Sequence, residues 1–379
     1  MPRIFANAVA SITKPATLVL LITDEQESWG QQLSEEGYDV VLVHYPDTIE
    51  RLHAGLTEAG AKLGTATEWA LLTYGLESSD LTVATAILCA GKLAACVHFC
   101  PRIENINGLV CDRLDGTTIP TMFHLSAKQE TLHASILEIA EQKALGIPTS
   151  QPPPVSVFTY PLVSASPPFP FEAGSPIDHA NGKVRAIAPH LRSANNLSYT
   201  RTLSLLRREL GPHFPLEKLW ERHTYFVSTP YVNHIATMTG GVGFQGLARF
   251  YKYHFVRENV TPPDTEIITV SRTIGTDRII DEMIFKCTHT TEIDYILPGI
   301  KPTGKPLEIA LVGVVAFRGD KLTFDYWDQA SVLVQLGLLD PKGLPVAGVE
   351  VAHKVMDPFG MPSNALLTRW KESEGLPID

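Results

Sequence analysis

Hydrophobic residues in the first half of the chain come in short unbroken runs separated by amphipathic stretches. Thr17–Ile22, Asp39–His44, Trp69–Tyr74 and Leu93–Phe99 are such runs, and residues 120–125 and 155–160 continue the series. Runs of this length without alternation are strands buried on both faces. Residues 25–36 and 78–90 read as helices between them. Strands separated by helices predict a mostly parallel sheet covered on both sides. Nine prolines between Pro148 and Pro176 exclude a long regular element there. Residues 196–210 read as a closing helix, and Gly211-Pro-His-Phe-Pro215 marks a boundary.

The pattern then changes. In residues 216–226, Leu216, Leu219, Trp220, His223 and Phe226 recur at helical spacing. In residues 243–256, Phe244, Leu247, Ala248, Tyr251 and Phe255 share one helix face. Long strand-like stretches follow at Glu266–Ile274, 278–294, 307–318 and 321–329. Helices followed by antiparallel strands predict an α+β cone, a curved sheet wrapped around helices with a hollow between them. The expectation is two domains, residues 1–211 and 216–379.

Charge and cysteine content narrow the function classes. The 379 residues carry 31 basic and 41 acidic side chains, a net charge of -10. No basic cluster interleaved with aromatics occurs, which argues against a nucleic-acid partner. The five cysteines, Cys89, Cys96, Cys100, Cys111 and Cys287, fit no zinc or disulfide spacing and read as reduced, buried thiols. No stretch reaches the roughly 18 apolar residues of a membrane span. The apolar run at 16–23 meets two acids at once, so it reads as a buried strand and not as a signal peptide. A soluble, cytoplasmic protein is expected.

Candidate chemistry concentrates in the second half. Strand alternation over 321–329 puts Leu322, Phe324, Tyr326 and Asp328 on one face. A carboxylate on an apolar face must be paired, protonated or used. Asp328 is therefore the first candidate for proton transfer; the alternative is a strand-end carboxylate capping a turn or pairing with an arginine. Tyr326 could donate to an enolate oxygen, or be a core tyrosine with a satisfied hydroxyl. Along 278–294 one face carries Asp281, Met283, Phe285, Cys287, His289 and Ile293. His289 is either a pocket base or a hydrogen-bonded core residue. Glu282 lies on the opposite face, with Arg272 as its expected partner. Cys287 and His289 lack further ligands at metal spacing, so no metal and no cofactor are expected. Asn233 and His234 stand between the two helices, at a pocket mouth or as a turn. The glycines at 240, 241 and 243 read as a turn leading into the second helix. Tyr231, Asn233, Phe324, Trp327 and Met283 are the candidate substrate contacts.

Several ordered words give the second half a family resemblance. They are Pro-Tyr-Val-Asn-His (230–234), Thr-Gly-Gly-Val-Gly (239–243), Arg-Phe-Tyr-Lys-Tyr-His-Phe (249–255) and Pro-Pro-Asp-Thr-Glu (262–266). Val-Ser-Arg-Thr-Ile-Gly (270–275), Leu-Pro-Gly (297–299) and Tyr-Trp-Asp-Gln-Ala-Ser-Val-Leu (326–333) complete the set. Over roughly Leu216 to Asp357 the chain resembles the SnoaL-like branch of the nuclear-transport-factor-2-like superfamily. That resemblance implies a cone fold, and Asp328 as the general acid/base at the end of the last strand. It departs from the pattern at Thr323-Phe-Asp325, where relatives carry a His-Glu-His-like segment.

The first half looks like the dienelactone hydrolase family, an α/β-hydrolase branch. The nucleophile turn it implies is Thr73-Tyr-Gly-Leu-Glu77, with Gly75 at its centre. The acid position reads Gln129, and the base position falls near Ala165. All three triad positions lack their chemistry, which makes the domain degenerate. The combined expectation is an acid/base isomerase, cyclase or dehydratase for a small, largely apolar carbonyl compound, polyketide- or terpenoid-like, assembled as a homodimer. The alternatives are a hydrolase with a displaced nucleophile, such as Ser78 or Ser79, and a non-catalytic ligand-binding or dimerisation protein.

Overall fold

The computed structural model describes residues 2–23, 26–45, 47–63, 68–77, 92–102, 108–113, 115–164, 188–221, 231–255, 260–317, 324–367, 369–373 and 376. The expected helix at 78–90, Ser78, Ser79, Cys89, Ala165, Leu322, and the stretch 222–226 with His223 and Phe226 lie outside them. The chain divides into two compact units, Met1–Phe214 and Pro215–Asp379.

The first unit is a seven-stranded sheet. Its strands are β1 (Arg3–Phe5), β2 (Thr17–Ile22), β3 (Asp39–His44), β4 (Trp69–Tyr74), β5 (Leu93–Phe99), β6 (Thr121–Leu125) and β7 (Val155–Thr159), in the order β1-β3-β2-β4-β5-β6-β7. All neighbours from β3 to β7 are parallel, and the short edge strand β1 is antiparallel to β3. The helices are α1 (Ser28–Glu35), α2 (Ile49–Leu63), α3 (Glu130–Ala144) and α4 (Pro189–Leu210). One face of the sheet packs Leu18, Leu20, Ile22, Ala70 and Leu72 on Trp29 of α1 and Leu203 and Leu206 of α4. The other packs Val19, Leu21, Val41 and Leu71 on Leu52 and Leu56 of α2 and Ile136 of α3. Burial on both faces explains why these strands read as continuous apolar runs.

The second unit opens with α5 (Leu216–Glu221). Its strands are β8 (Tyr231–His234), β9 (Thr239–Val242), β10 (Glu266–Ile274), β11 (Arg278–Thr288), β12 (Pro306–Ala316) and β13 (Phe324–Trp327), in the order β10-β11-β12-β13-β8-β9. All pairings are antiparallel except β13 with β8. Helix α6 (Gly243–Phe250) continues as a π-helical turn over Tyr251–Phe255, and α7 (Gln329–Leu336) and α8 (Glu350–Met356) come last. Leu247 and Phe250 of α6 pack on Phe285, Leu307 and Ile309, with Val332 and Leu336 of α7 closing the same core.

Residues 231–242 correct the sequence expectation of a turn. They form a hairpin, which brings His234 into the sheet. Two glycines make this possible. Gly240 has φ +143°, and a side chain there would collide with the Val232 carbonyl. A Cβ on Gly241 would come within 2.6 Å of the Gly246 backbone. Gly240 therefore permits close pairing of β9 with β8, and Gly241 close approach of the hairpin to the helix.

Candidate functional site

One cross-strand row traverses all six strands of the second sheet. Arg272 pairs with Asp281, Asp281 with Gly313, Gly313 with Asp325, Asp325 with His234, and His234 with Thr239. Residues directly opposite one another share a face. This row is polar apart from its glycine, while its neighbours on the same face, Ile279, Phe285, Leu307 and Ile309, are buried and apolar. A polar ribbon across an apolar, buried face must satisfy itself.

At one end of the row the satisfaction is complete. The Arg272 guanidinium bonds both oxygens of Asp281 at 2.7 and 2.8 Å and reaches Glu217 of α5 at 3.2 Å. Asp281 is 1% exposed, so its charge is buried and paired. Asp281, and not Glu282, is the arginine's partner. A bulge between Thr269 and Ser271 resets the register, and Glu282 accepts a hydrogen bond from Ser271 on the outer face.

The other end is arranged differently. His234 is 2% exposed, and its Nε2 stands 3.4 Å from Oδ2 of Asp325, whose side chain is 27% exposed. Nδ1 of His234 lies 3.4 Å from Oγ1 of Thr239, which stands 3.0 Å from the Tyr295 carbonyl. A carboxylate beside Nε2 places the ring proton on that nitrogen, as the donor toward Asp325, and leaves Nδ1 to accept from the Thr239 hydroxyl. Asp325 can lean over Gly313 because that residue has no side chain. A Cβ at 313 would sit 3.2 Å from Asp325 Oδ1 and 3.0 Å from Met283 Cε.

Aromatic rings surround His234. The His234 ring centroid lies 5.5 Å from Phe250, 5.8 Å from Phe255, 5.0 Å from Tyr295 and 5.8 Å from Trp327. The i to i+5 repeat of the π-helical turn helps here, since it brings Phe255 beneath Phe250 at 5.9 Å. Burial pushes the Tyr295 hydroxyl up to about 12; a hydrogen bond to Thr261 opposes this, and Cys287 and Asp325 add to it. Burial, and then the Asp325 charge, also raise Tyr251. Both phenols therefore remain protonated donors near the carboxylate at neutral pH.

The sequence candidates separate accordingly. His234, Met283 and Trp327 belong to the enclosed face. Asp328 does not. The strand ends at Trp327, and Asp328 is the exposed N-cap of α7, its carboxylate accepting from the Ala330 amide at 2.9 Å. The alternation that placed Asp328 inward was carried past the end of the strand, and N-cap chemistry, which favours aspartate, took the residue instead. The parity is also the opposite of that expected: Asp325 and Trp327 face inward, and Tyr326 is 42% exposed. Asn233 alternates with His234 and so lies on the other face of β8. The backbones of Tyr231 and Phe324 pair within the sheet, but their side chains lie outside the description. His289 is buried at the end of β11, where its Nδ1 accepts from the Thr303 amide at 3.3 Å and fixes the turn before β12. Its burial holds the imidazole below its ordinary range.

Sequence reasoning passed over Asp325, Tyr295 and Gly313. The departure noted at Thr323-Phe-Asp325 was the available signal for the first; nothing local marks the other two.

In the first unit, Gly75 closes β4 with φ +63°, a left-handed turn at the strand's carboxyl end. Gln129 accepts from the Ser126 amide at 3.0 Å and donates to the Pro101 carbonyl at 2.9 Å. Neither residue supplies a nucleophile or an acid. Cys96, Cys100, Cys111 and Cys287 are free thiols. Among the described residues, no group of three or more His, Cys, Asp or Glu stands together as a metal site, and no helix is long and apolar enough to cross a membrane.

No protein-family profile matches the chain, and no curated protein matches it by sequence. Solved structures do resemble part of it. A putative SnoaL-like polyketide cyclase from Jannaschia sp. is 14% identical, with a TM-score of 0.24, over 38% of this chain and 94% of the other. A putative polyketide cyclase from Acidithiobacillus ferrooxidans is 17% identical, with a TM-score of 0.23, over 40% and 98%. A protein of ketosteroid-isomerase-like fold from Catenulispora acidiphila, in complex with trimethylamine, is 16% identical, with a TM-score of 0.23, over 31% and 79%. Identities and scores this low transfer no chemistry to this chain.

Proposed function

We propose that the second unit is a SnoaL-like domain whose interior performs acid/base chemistry on a carbonyl compound: isomerisation, cyclisation or dehydration through an enolate. The observation that carries the reading is the His234–Asp325 dyad, its histidine ringed by aromatic side chains and two protonated phenols close to its carboxylate. Asp325, the more accessible member, takes a proton from the carbon next to the carbonyl. The C–H electron pair moves to the carbonyl oxygen, and Tyr251 or Tyr295 donates a hydrogen bond to the enolate that forms. His234 holds the carboxylate through its Nε2–H, and Asp325 returns the proton to the enolate at a different carbon.

The first unit is, on this reading, a degenerate hydrolase-like scaffold. Its parallel strand order and the left-handed Gly75 support this, and the residues at Gly75 and Gln129 give hydrolysis no nucleophile or acid. The test of the main reading is deuterium exchange at the activated carbon of 2-tetralone, followed by NMR. The Asp325→Asn protein should exchange it at least about a hundredfold more slowly. Equal exchange by both proteins would end the assignment.

A further inference from the structure

We propose that Arg201 anchors a carboxylate-binding site on the first unit, at the margin between α4 and β7, for a monocarboxylic acid with an apolar body. The inference concerns the unit that takes no part in the acid/base reading, and it stands or falls without it. The arginines in the second half of α4 are engaged in different ways. Arg207 bonds Glu36, and Arg208 bonds Glu209. Arg201 lies on β7 instead. Its guanidinium carbon is 4.0 Å from the centroid of the Phe158 ring and 5.8 Å from that of Tyr160. Its Nη1 donates to the Tyr160 hydroxyl at 3.1 Å, and that hydroxyl can donate on to Nδ1 of His124, also at 3.1 Å.

A ring beneath and a hydroxyl at one corner hold the partly buried guanidinium in one orientation. The phenol engages only Nη1 of the planar fork. Among the described residues no carboxylate bonds the group, so its Nε–Nη2 edge, which matches the paired oxygens of a carboxylate, meets no acid. The charge is felt nearby. Burial lowers the His124 imidazole, and the Arg201 charge lowers it further; burial raises the Tyr160 hydroxyl, and the hydrogen bond and charge of Arg201 oppose that. A cation oriented in advance and partly desolvated gains most from an anion that brings a single charge and paired acceptors. Apolar contact comes from Leu197, one turn back on the same helix face and 45% exposed. Helical side chains lean toward the N-terminus, so Arg201 reaches over that turn.

The test uses the full chain and two probes matched in shape, benzoate and benzamide, titrated by NMR at neutral pH. Benzoate should bind at least about tenfold more tightly than benzamide and should shift the Nε–H resonance of Arg201. Arg201→Gln should narrow that gap to about twofold or less. Arg201→Lys keeps the charge without the fork and should leave a gap of about threefold. Leu197→Ala should weaken both probes alike, by about threefold. Equal binding of the two probes, or failure of benzoate to bind, overturns the proposal. So does a gap that survives Arg201→Gln, and so does tighter binding of inorganic phosphate than of benzoate. An Arg201 resonance in the unaltered chain that benzoate leaves unmoved overturns it as well, whatever the variants do. The exchange of 2-tetralone reports on the other unit, so either reading can fail without the other.

Discussion

Both units bury a histidine among aromatic rings, and the two histidines are equipped for different things. In the first unit His124 stacks on Phe99 at 4.7 Å and on Phe158 at 5.9 Å. Its Nδ1 meets the Tyr160 hydroxyl and its Nε2 the Thr202 hydroxyl, each at 3.1 Å. Burial lowers this imidazole to about 3, and the Arg201 charge pushes the same way. It is a neutral strut between sheet and helix. His234 in the second unit has rings at similar distances, but one nitrogen faces a carboxylate that solvent reaches. Aromatic enclosure alone does not mark an active site. The proposed site differs in having a partly open acid beside the enclosed histidine.

Four measurements would break or sharpen that contrast. The largest effect concerns the first unit's buried ion pair. Glu36 accepts from Arg207 at 2.6 Å and from the Tyr199 hydroxyl at 2.6 Å, with both charged side chains at least nine-tenths buried. Glu36→Ala should destabilise this unit by about 3–5 kcal/mol in denaturant unfolding, because it removes the carboxylate of a buried ion pair and keeps the arginine's charge. A loss below about 1 kcal/mol would mean that Arg207 finds water. Next comes Asp325→Asn, with its loss of about a hundredfold or more in 2-tetralone exchange, equivalent to roughly 3 kcal/mol of barrier. Its unfolding midpoint should move little, since Asp325 is only partly buried.

The third is a pH slope. His124 is lowered to about 3, and His98, chiefly by burial, to about 4, so both are neutral in the folded unit at pH values where the unfolded chain protonates them. Below the ordinary histidine value of 6.5 the unfolded state therefore binds more protons, and stability falls as pH falls. The slope is roughly 1.4 kcal/mol per pH unit for each histidine, from about pH 6 down toward pH 4. Replacing His124 with Phe keeps the ring stack and should remove one histidine's share of that slope. An unchanged slope would show that His124 takes up its proton without unfolding. The smallest effect is Asp328→Ala, which should cost about 1 kcal/mol through loss of the helix cap while exchange stays within about twofold. A hundredfold fall in exchange would return the catalytic role to Asp328 and undo the contrast.

The parts of the molecule legible in its sequence are those that a local period defines. Leu93–Phe99 reads as a strand because seven consecutive residues are buried on both faces. The second half announced its change of architecture through the lengths of β10 to β12. The hairpin holding His234 was not legible, because its strands are four residues each and one contains two glycines. Strands so short carry no period, and the glycines imitate a turn. The facing of β13 is ambiguous in the sequence for a related reason. A period of two puts either Tyr326 or Asp325 inward, and a strand of four residues contains no internal evidence of which.

What the chain determined by itself was the set of elements, the apolar interior of each unit and the absence of nucleophile and acid at Gly75 and Gln129. These follow from side-chain volume, polarity and backbone permission at single positions. Only the tertiary structure decided which polar residues meet. Arg272, Asp281, Gly313, Asp325, His234 and Thr239 come from six strands, and hydrogen-bond register alone sets them in one row. Register is a property of paired strands and not of either strand alone. For that reason the acid beside His234 emerged only when β13 and β8 were laid side by side.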